Sequence, residues 1–418
     1  AQSHGENGVS IGTNSFTNYK GSIAIGGSAR ATTAGAVAIG SGANSDGTGS
    51  IAIGDTARIA SNGYALTSIA MGRNAYVLNG TGQQEYQFSF NKGSWNGSNS
   101  PKAGSDALDR LPGGIAVGTN SFARTGSVEI GSHTMQGLTM GGTTVDNTSA
   151  YIIDMTTIGS NSYNKGLMAT IVGSYSINTG DFDGSGGWNS FSYGSQNMGS
   201  NLIGSLNQNR SKGYSGNSGV ANSIVGVANI AENANGALLF GAGNKITNSI
   251  KTIYDISTSS GFDTVDEMVD GLASAVKRSE GGATLAIGGG NTADYTQASQ
   301  LIGVNNTLTG TSGSVSRYNM VNGYKNTASN VQHVSVIGSG NTVKDTDTAL
   351  LLGDNRTLSG ATNSLVIGSA DNVATTDQQN VVVLGHNANA IVAGGVALGS
   401  GSLAAVEAGG AGDDPSTR

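Results

Sequence analysis

The sequence predicts an all-β chain built as a parallel β-roll, or β-solenoid, of coils about 14 residues long. Three observations predict it. Ser22-Ile23-Ala24-Ile25-Gly26 returns as Ala36-Val37-Ala38-Ile39-Gly40 and as Ser50-Ile51-Ala52-Ile53-Gly54, with closing glycines 14 residues apart, and Val9-Ser10-Ile11-Gly12 stands one period earlier. A unit of that length is too short for a helix-containing repeat and right for two short strands and two turns. The composition agrees: 68 glycines and 11% charged residues in 418 leave Ser, Thr, Asn and Gly to make the surface.

Each coil begins with the Ile-Ala-Ile strand. Side chains alternate with period two, so Ile23 and Ile25 share one face and Ala24 takes the other. The Ile pair is expected to fill the coil. The small residues on the second face are expected to let another copy of the chain approach, with contacts at Ala24, Ala38, Ala52 and Ala70. Towards the C-terminus the middle position is read as Ile224, Leu239, Ile302, Val336, Leu351, Val366 and Val383, near-continuous apolar strands like those of a sheet buried on both faces. Contact between copies is therefore expected at Val336, Leu351 and Val366 as well. After the glycine comes a turn, then a second short strand marked by Ala29, Ala43 or Ala57.

Apolar runs closed by glycine continue to Gly399 and give about twenty such coils. The stretch 145–155 fits the register poorly, and whether Met140-Gly141 closes a coil is left open. In the second half an asparagine stands three residues after the glycine: Asn229, Asn244, Asn291, Asn306, Asn326 and Asn341. Asparagine tolerates left-handed backbone, and a ladder of stacked turns is the expectation.

Insertions interrupt the coils at about 73–114, 174–192, 205–222 and 242–284. The last holds the one convincing helix, at about 264–278. Val265, Met268, Val269, Leu272, Ala273 and Val276 fall at helical spacing, Thr264 and Glu267 make a capping box, and the helix is expected to lie against the roll.

Charge and cysteine content exclude several classes. Net charge is −7, pI is near 5.0, and no Lys/Arg cluster occurs, so neither nucleic acid nor an anionic membrane surface is a fitting partner. With no cysteine there is no disulfide, thiol nucleophile or Cys-ligated zinc. No run of 18 apolar residues occurs, and the fragment is not expected to insert into a membrane.

The Ser-Ile/Val-Ala-Ile-Gly units, with Gly395-Val396-Ala397-Leu398-Gly399-Ser400 near the end, resemble the YadA-like head of trimeric autotransporter adhesins. The resemblance spans about residues 9–402. It implies a left-handed roll, three subunits about one axis, and display on a bacterial surface, held to the outer membrane through a neck, stalk and anchor that this sequence does not show. The head is accordingly read as 1–402, with 403–418 as a tail leading towards those parts.

Candidate chemistry is sparse. Gly8-Val9-Ser10-Ile11-Gly12 matches a nucleophile-elbow pattern, but Ser10 occupies the slot that Ala24 takes one coil later. His4, His133, His333 and His386 lie in different coils without metal spacing, so no catalytic, cofactor or metal residue is assigned. Asp181 and Asp183 resemble the start of a calcium loop, but Ser192 stands where its glutamate would be. Both tryptophans lie in insertions, Trp95 near Tyr86, Phe88 and Phe90, and Trp188 near Phe191 and Tyr193. These seven are the expected partner contacts, against the alternative that they pack the insertions themselves.

The expectation is thus a homotrimeric adhesin head that docks multivalently on a host-cell protein, a matrix protein or another bacterium. The alternative is a β-solenoid that binds or cleaves polysaccharide, which would require paired carboxylates in a groove.

Overall fold

A computed structural model describes residues 1–61, 67–79, 113–124, 126–133, 136–140, 143–146, 155–164, 166, 168–180, 197–211, 218–250, 269–270, 273–274, 277 and 283–406. These residues are almost entirely short strands and turns. The chain forms two compact units, one of residues 1–222 with 253–278, the other of 223–252 with 279–418.

Each unit is a two-walled parallel roll. In the first, Ile23–Ile25 pairs with Val9–Ile11 on one side and Val37–Ile39 on the other, and the in-register series continues through Ile51–Ile53, Ile69–Met71, Ile115–Val117 and Val128–Ile130. This is the first wall. The second wall stacks Phe16–Thr17, Arg30–Ala31, Asn44–Ser45 and Arg58–Ser61 in the same parallel sense. In the second unit the first wall runs from Ser223–Val227 through Leu238–Ala242 to Val396–Leu398, and the second from Ile230–Glu232 to Ala374–Thr376.

The faces of the first wall are the reverse of the sequence expectation. Ala24, Ala38, Ala52 and Ala70 are fully enclosed within one chain, as are Leu351 and Val366, and Val336 is 1% exposed. They fill the coil. Ile23 and Ile25 lie on its outer face, half-buried. The cause is width: Ala24, Ala29, Ala31, Ala36, Ala38 and Ala43 form one cluster with side chains from both walls, and the space between two walls one coil thick admits little more than methyl groups. Further along, the interior widens enough for Ile59 and Val77, then Ile171 and Leu202. Among the middle residues, Ile302 is displaced by one: Leu301 points inward and Ile302 outward.

The closing glycines stack into a column. Gly26 has φ of 133°, and a Cβ there would stand 2.6 Å from the carbonyl carbon of Gly40 in the next coil. Only glycine fits, because neither the backbone angle nor the neighbour leaves room. The left-handed residues of the turn come two positions later, at Asn14, Ser28, Thr56 and Asn74.

The asparagines three positions after the glycine are therefore not the left-handed ones. Asn229, Asn244, Asn291, Asn306, Asn326 and Asn341 are enclosed in the second unit. From Asn244 onward each donates a side-chain hydrogen bond to the previous one: Asn306 Nδ2 donates to Asn291 Oδ1 at 3.1 Å and Asn326 Nδ2 to Asn306 Oδ1 at 3.1 Å. Their amides also satisfy the glycine carbonyls of the following coil. The predicted ladder exists, but inside the roll. A second one in the first unit joins Asn164, Asn178, Asn209 and Asn222 at 2.8–2.9 Å.

Several boundaries move. Tyr76–Asn79, Ile177–Gly180, Gln208–Ser211 and Lys245–Thr247 are regular second-wall strands inside stretches read as insertions. Leu403–Ala404 pairs with Asn389–Ala390, carrying the roll past 402. Met140-Gly141 does not close a coil: Gln136–Met140 and Thr143–Asp146 form an antiparallel pair, and the register passes from Val128–Ile130 to Thr156–Ile158. Of the expected helix, residues 269–270, 273–274 and 277 are described and helical; Val269 and Ala273, placed on its apolar face, are exposed.

Candidate interaction surface

The outward face of the first wall is made of two parallel rows, because every coil contributes the first and third residues of its strand. In the first unit one row runs through Val9, Ile23, Val37, Ile51, Ile69, Ile115 and Val128, and the other through Ile11, Ile25, Ile39, Ile53, Met71, Val117 and Ile130. In the second unit the rows pass through Leu238 and Phe240, Leu350 and Leu352, and Val396 and Leu398. None of the residues in these rows carries a charge. Many are large and open: Ile11 is 57% exposed, Phe240 53% and Leu398 61%. A monomeric soluble surface rarely leaves so continuous an apolar stripe uncovered, and charge depletion with apolar enrichment marks the core of an interface.

The second wall is different in kind. Its outward positions include Arg30, Asn44 and Arg58 in the first unit. In the second unit they form a threonine row, Thr292, Thr307, Thr327, Thr342 and Thr357. Aromatic residues there are covered by cations: the Arg30 guanidinium lies 5.0 Å from the Phe16 ring centre and that of Arg58 5.3 Å from Tyr76. One face of the roll suits water and the other does not.

The residues expected to touch another copy, Ala24, Ala38, Ala52, Ala70, Val336, Leu351 and Val366, lie behind this surface rather than on it. Tyr86, Phe88, Phe90, Trp95, Trp188, Phe191 and Tyr193, the expected partner contacts, fall outside the described residues, as do Asp181 and Asp183.

Among the described residues, titratable groups in odd environments are few. Glu129 occupies the inward slot between Ala116 and Thr157, is 3% exposed, and accepts a hydrogen bond from Thr157 Oγ1 at 3.0 Å. Burial pushes its carboxyl well above the usual value, and the Thr157 bond only partly offsets this. Arg356 is likewise enclosed, and burial lowers its pKa. Its Nε donates to Gly368 O at 2.7 Å, Nη1 to Ala388 O at 2.7 Å and Nη2 to Gly385 O at 3.1 Å. Sequence reasoning missed both, although each has a signal: Glu129 stands in an Ile-Ala-Ile slot, and Arg356 stands three residues after Gly353, where an asparagine is due.

His4, His133, His333 and His386 are all exposed. His386 Nε2 is 3.3 Å from Asp371, whose carboxyl is held below its usual range by the Asn387 hydrogen bond and by His386. Among the described residues no group of three or more His, Cys, Asp or Glu is placed to hold a metal ion. Compared with known proteins, the chain matches no family model and no curated protein.

Proposed function

We propose that the chain is the head of a homotrimeric bacterial surface adhesin of the YadA-like kind, a binding module rather than an enzyme. The observation that carries the reading is the pair of uncharged apolar rows along one wall, half-exposed in a single chain and opposite a polar wall. A surface repeated coil after coil is met most simply by the same surface on another copy, and closed rings of identical chains satisfy it without leaving a free face. The repeated Ser-Ile-Ala-Ile-Gly unit supports the family reading, in which three chains meet around one axis. Three sites on one stiff support would then raise apparent affinity for a host-cell protein, a matrix protein or a neighbouring bacterium through effective concentration.

The polysaccharide-cleaving alternative has less support. Glu129, the carboxylate whose pKa burial raises, is sealed inside its coil and cannot reach a substrate, whereas glycoside cleavage needs two carboxyls facing one bond.

Sedimentation tests the reading. The wild-type chain is expected at three times the monomer mass, and Ile25→Asp with Ile39→Asp, which place charge in the outer rows, at monomer mass with β-structure retained. A monomeric wild type at micromolar concentration overturns it. Capture of matrix proteins, or of bacterial cells, on the immobilised trimer then identifies the class of partner.

A further inference from the structure

The apolar rows pose a problem that they do not themselves solve. Leucine, isoleucine and valine recur at nearly every coil, so two copies displaced by one coil along the wall would match almost as well as two in register. Uniform strand surfaces specify their register weakly.

In each unit a run of polar residues interrupts the rows, and Ser223 adds a polar position at the start of the row in the second unit. In the second unit Gln300 and Ser335 fall in one row and Asn322 in the other, on three successive coils: Gln300 pairs with Met320 and Met320 with Ser335, while Asn322 lies between Ile302 and Ile337. In the first unit Thr156, Thr170 and Asn201 are consecutive in one row, while Ile158, Val172 and Ile203 keep the neighbouring row apolar. No side chain of these six makes a hydrogen bond within the chain. That sets them apart from the column asparagines Asn306, Asn326 and Asn341, whose amides are engaged along the column. In the second unit apolar residues flank them on both sides, Leu285 and Ile287 before, Leu350 and Leu352 after.

An amide that loses water without gaining a partner costs about 1–3 kcal/mol. Asparagine and glutamine each carry donors and an acceptor, so identical side chains brought together around an axis can satisfy one another. Opposite an isoleucine from a slipped copy they cannot. A single polar position in an apolar seam is known to set alignment in this way, at some loss of stability.

We propose that Gln300, Asn322 and Ser335, with Thr156, Thr170 and Asn201, are the register-setting layers of the contact between copies of this chain. The proposal rests on the homotrimer reading. The apolar rows hold the copies together and these six align them.

The native chain has no cysteine, so Thr327→Cys, exposed on the polar wall, gives one spin-label site per copy. In the otherwise wild-type chain a single narrow inter-label distance is expected. With these six polar positions and Ser223 made apolar together (Gln300→Leu, Asn322→Leu, Ser335→Val, Thr156→Val, Thr170→Val, Asn201→Leu and Ser223→Val), the trimer should persist, its melting temperature unchanged or higher. Further distances should appear, from copies displaced by whole coils of about 4.8 Å. Placing Leu352→Asn in that background should restore a single distance. Should the apolar variant stay trimeric with the wild-type distance alone, the proposal is overturned while the homotrimer reading stands. A wild type without inter-label coupling that sediments as monomer overturns both.

Discussion

The backbone N–H of Arg356 donates to Asn341 Oδ1 at 3.0 Å, the bond that every earlier asparagine of the column receives from the next. Arg356 thus closes the column. Its guanidinium then reaches forward, where an asparagine would stop, to carbonyls of the two following coils. The buried cation is tolerated because backbone carbonyls accept its donors.

Replacing it should be severe. Arg356→Met leaves the carbonyls of Gly368, Gly385 and Ala388 without this donor. About 1–3 kcal/mol is expected for each buried carbonyl left unpaired. Urea denaturation should show it, with Arg356→Lys intermediate because an ammonium cannot span three acceptors.

Within the column, Asn306→Ala removes a donor to Gly323 O and the acceptor for both the backbone and side-chain N–H of Asn326. About 2–4 kcal/mol of destabilisation is expected, since the stranded groups stay buried. Thr307→Ala, one residue on and facing outward, should change the urea midpoint little.

Glycine positions should divide sharply. Gly26→Ala forces a Cβ into the Gly40 carbonyl at a positive φ, and it should destabilise the early coils. Gly27→Ala meets nothing within 4 Å and should be neutral or slightly stabilising. Thermal melting of the two variants side by side distinguishes them.

Glu129 imposes a pH dependence of definite sign. Its folded pKa is raised above the ordinary 4.5. Its neutral form is therefore favoured by folding below that pH, and the advantage is lost as pH rises through the folded value. Glu129→Gln should match the wild type near pH 4 and become progressively more stable than it towards neutrality, read as the difference in melting temperature across pH.

Much of the roll was legible in the sequence, because a period of 14 with a glycine at its end is a backbone requirement repeated in plain view. Which face of Ile-Ala-Ile turned inward was not. Alternation separates Ala24 from Ile23 and Ile25 but is silent on which side is enclosed, and the usual expectation that the larger residues fill the core fails where the walls stand too close for them. The asparagine ladder was visible as spacing, yet its side chains were assigned to the turn, since the left-handed residue sits one position before each asparagine. The column of Asn164, Asn178 and Asn209 had the same kind of signal, five residues after Gly159, Gly173 and Gly204. The aromatic contacts expected in the insertions have no such periodic constraint to be read against.

The glycine column has a consequence for how such a chain can change over generations. Gly40 offers Gly26 the same carbonyl that Gly54 offers Gly40, so deleting residues 27–40 would bring Gly26 against Gly54 with every seat occupied as before. Unequal recombination that removes or duplicates one whole coil is therefore absorbed without repair elsewhere, whereas loss of part of a coil breaks two seats at once. Length in this molecule is inherited in whole coils.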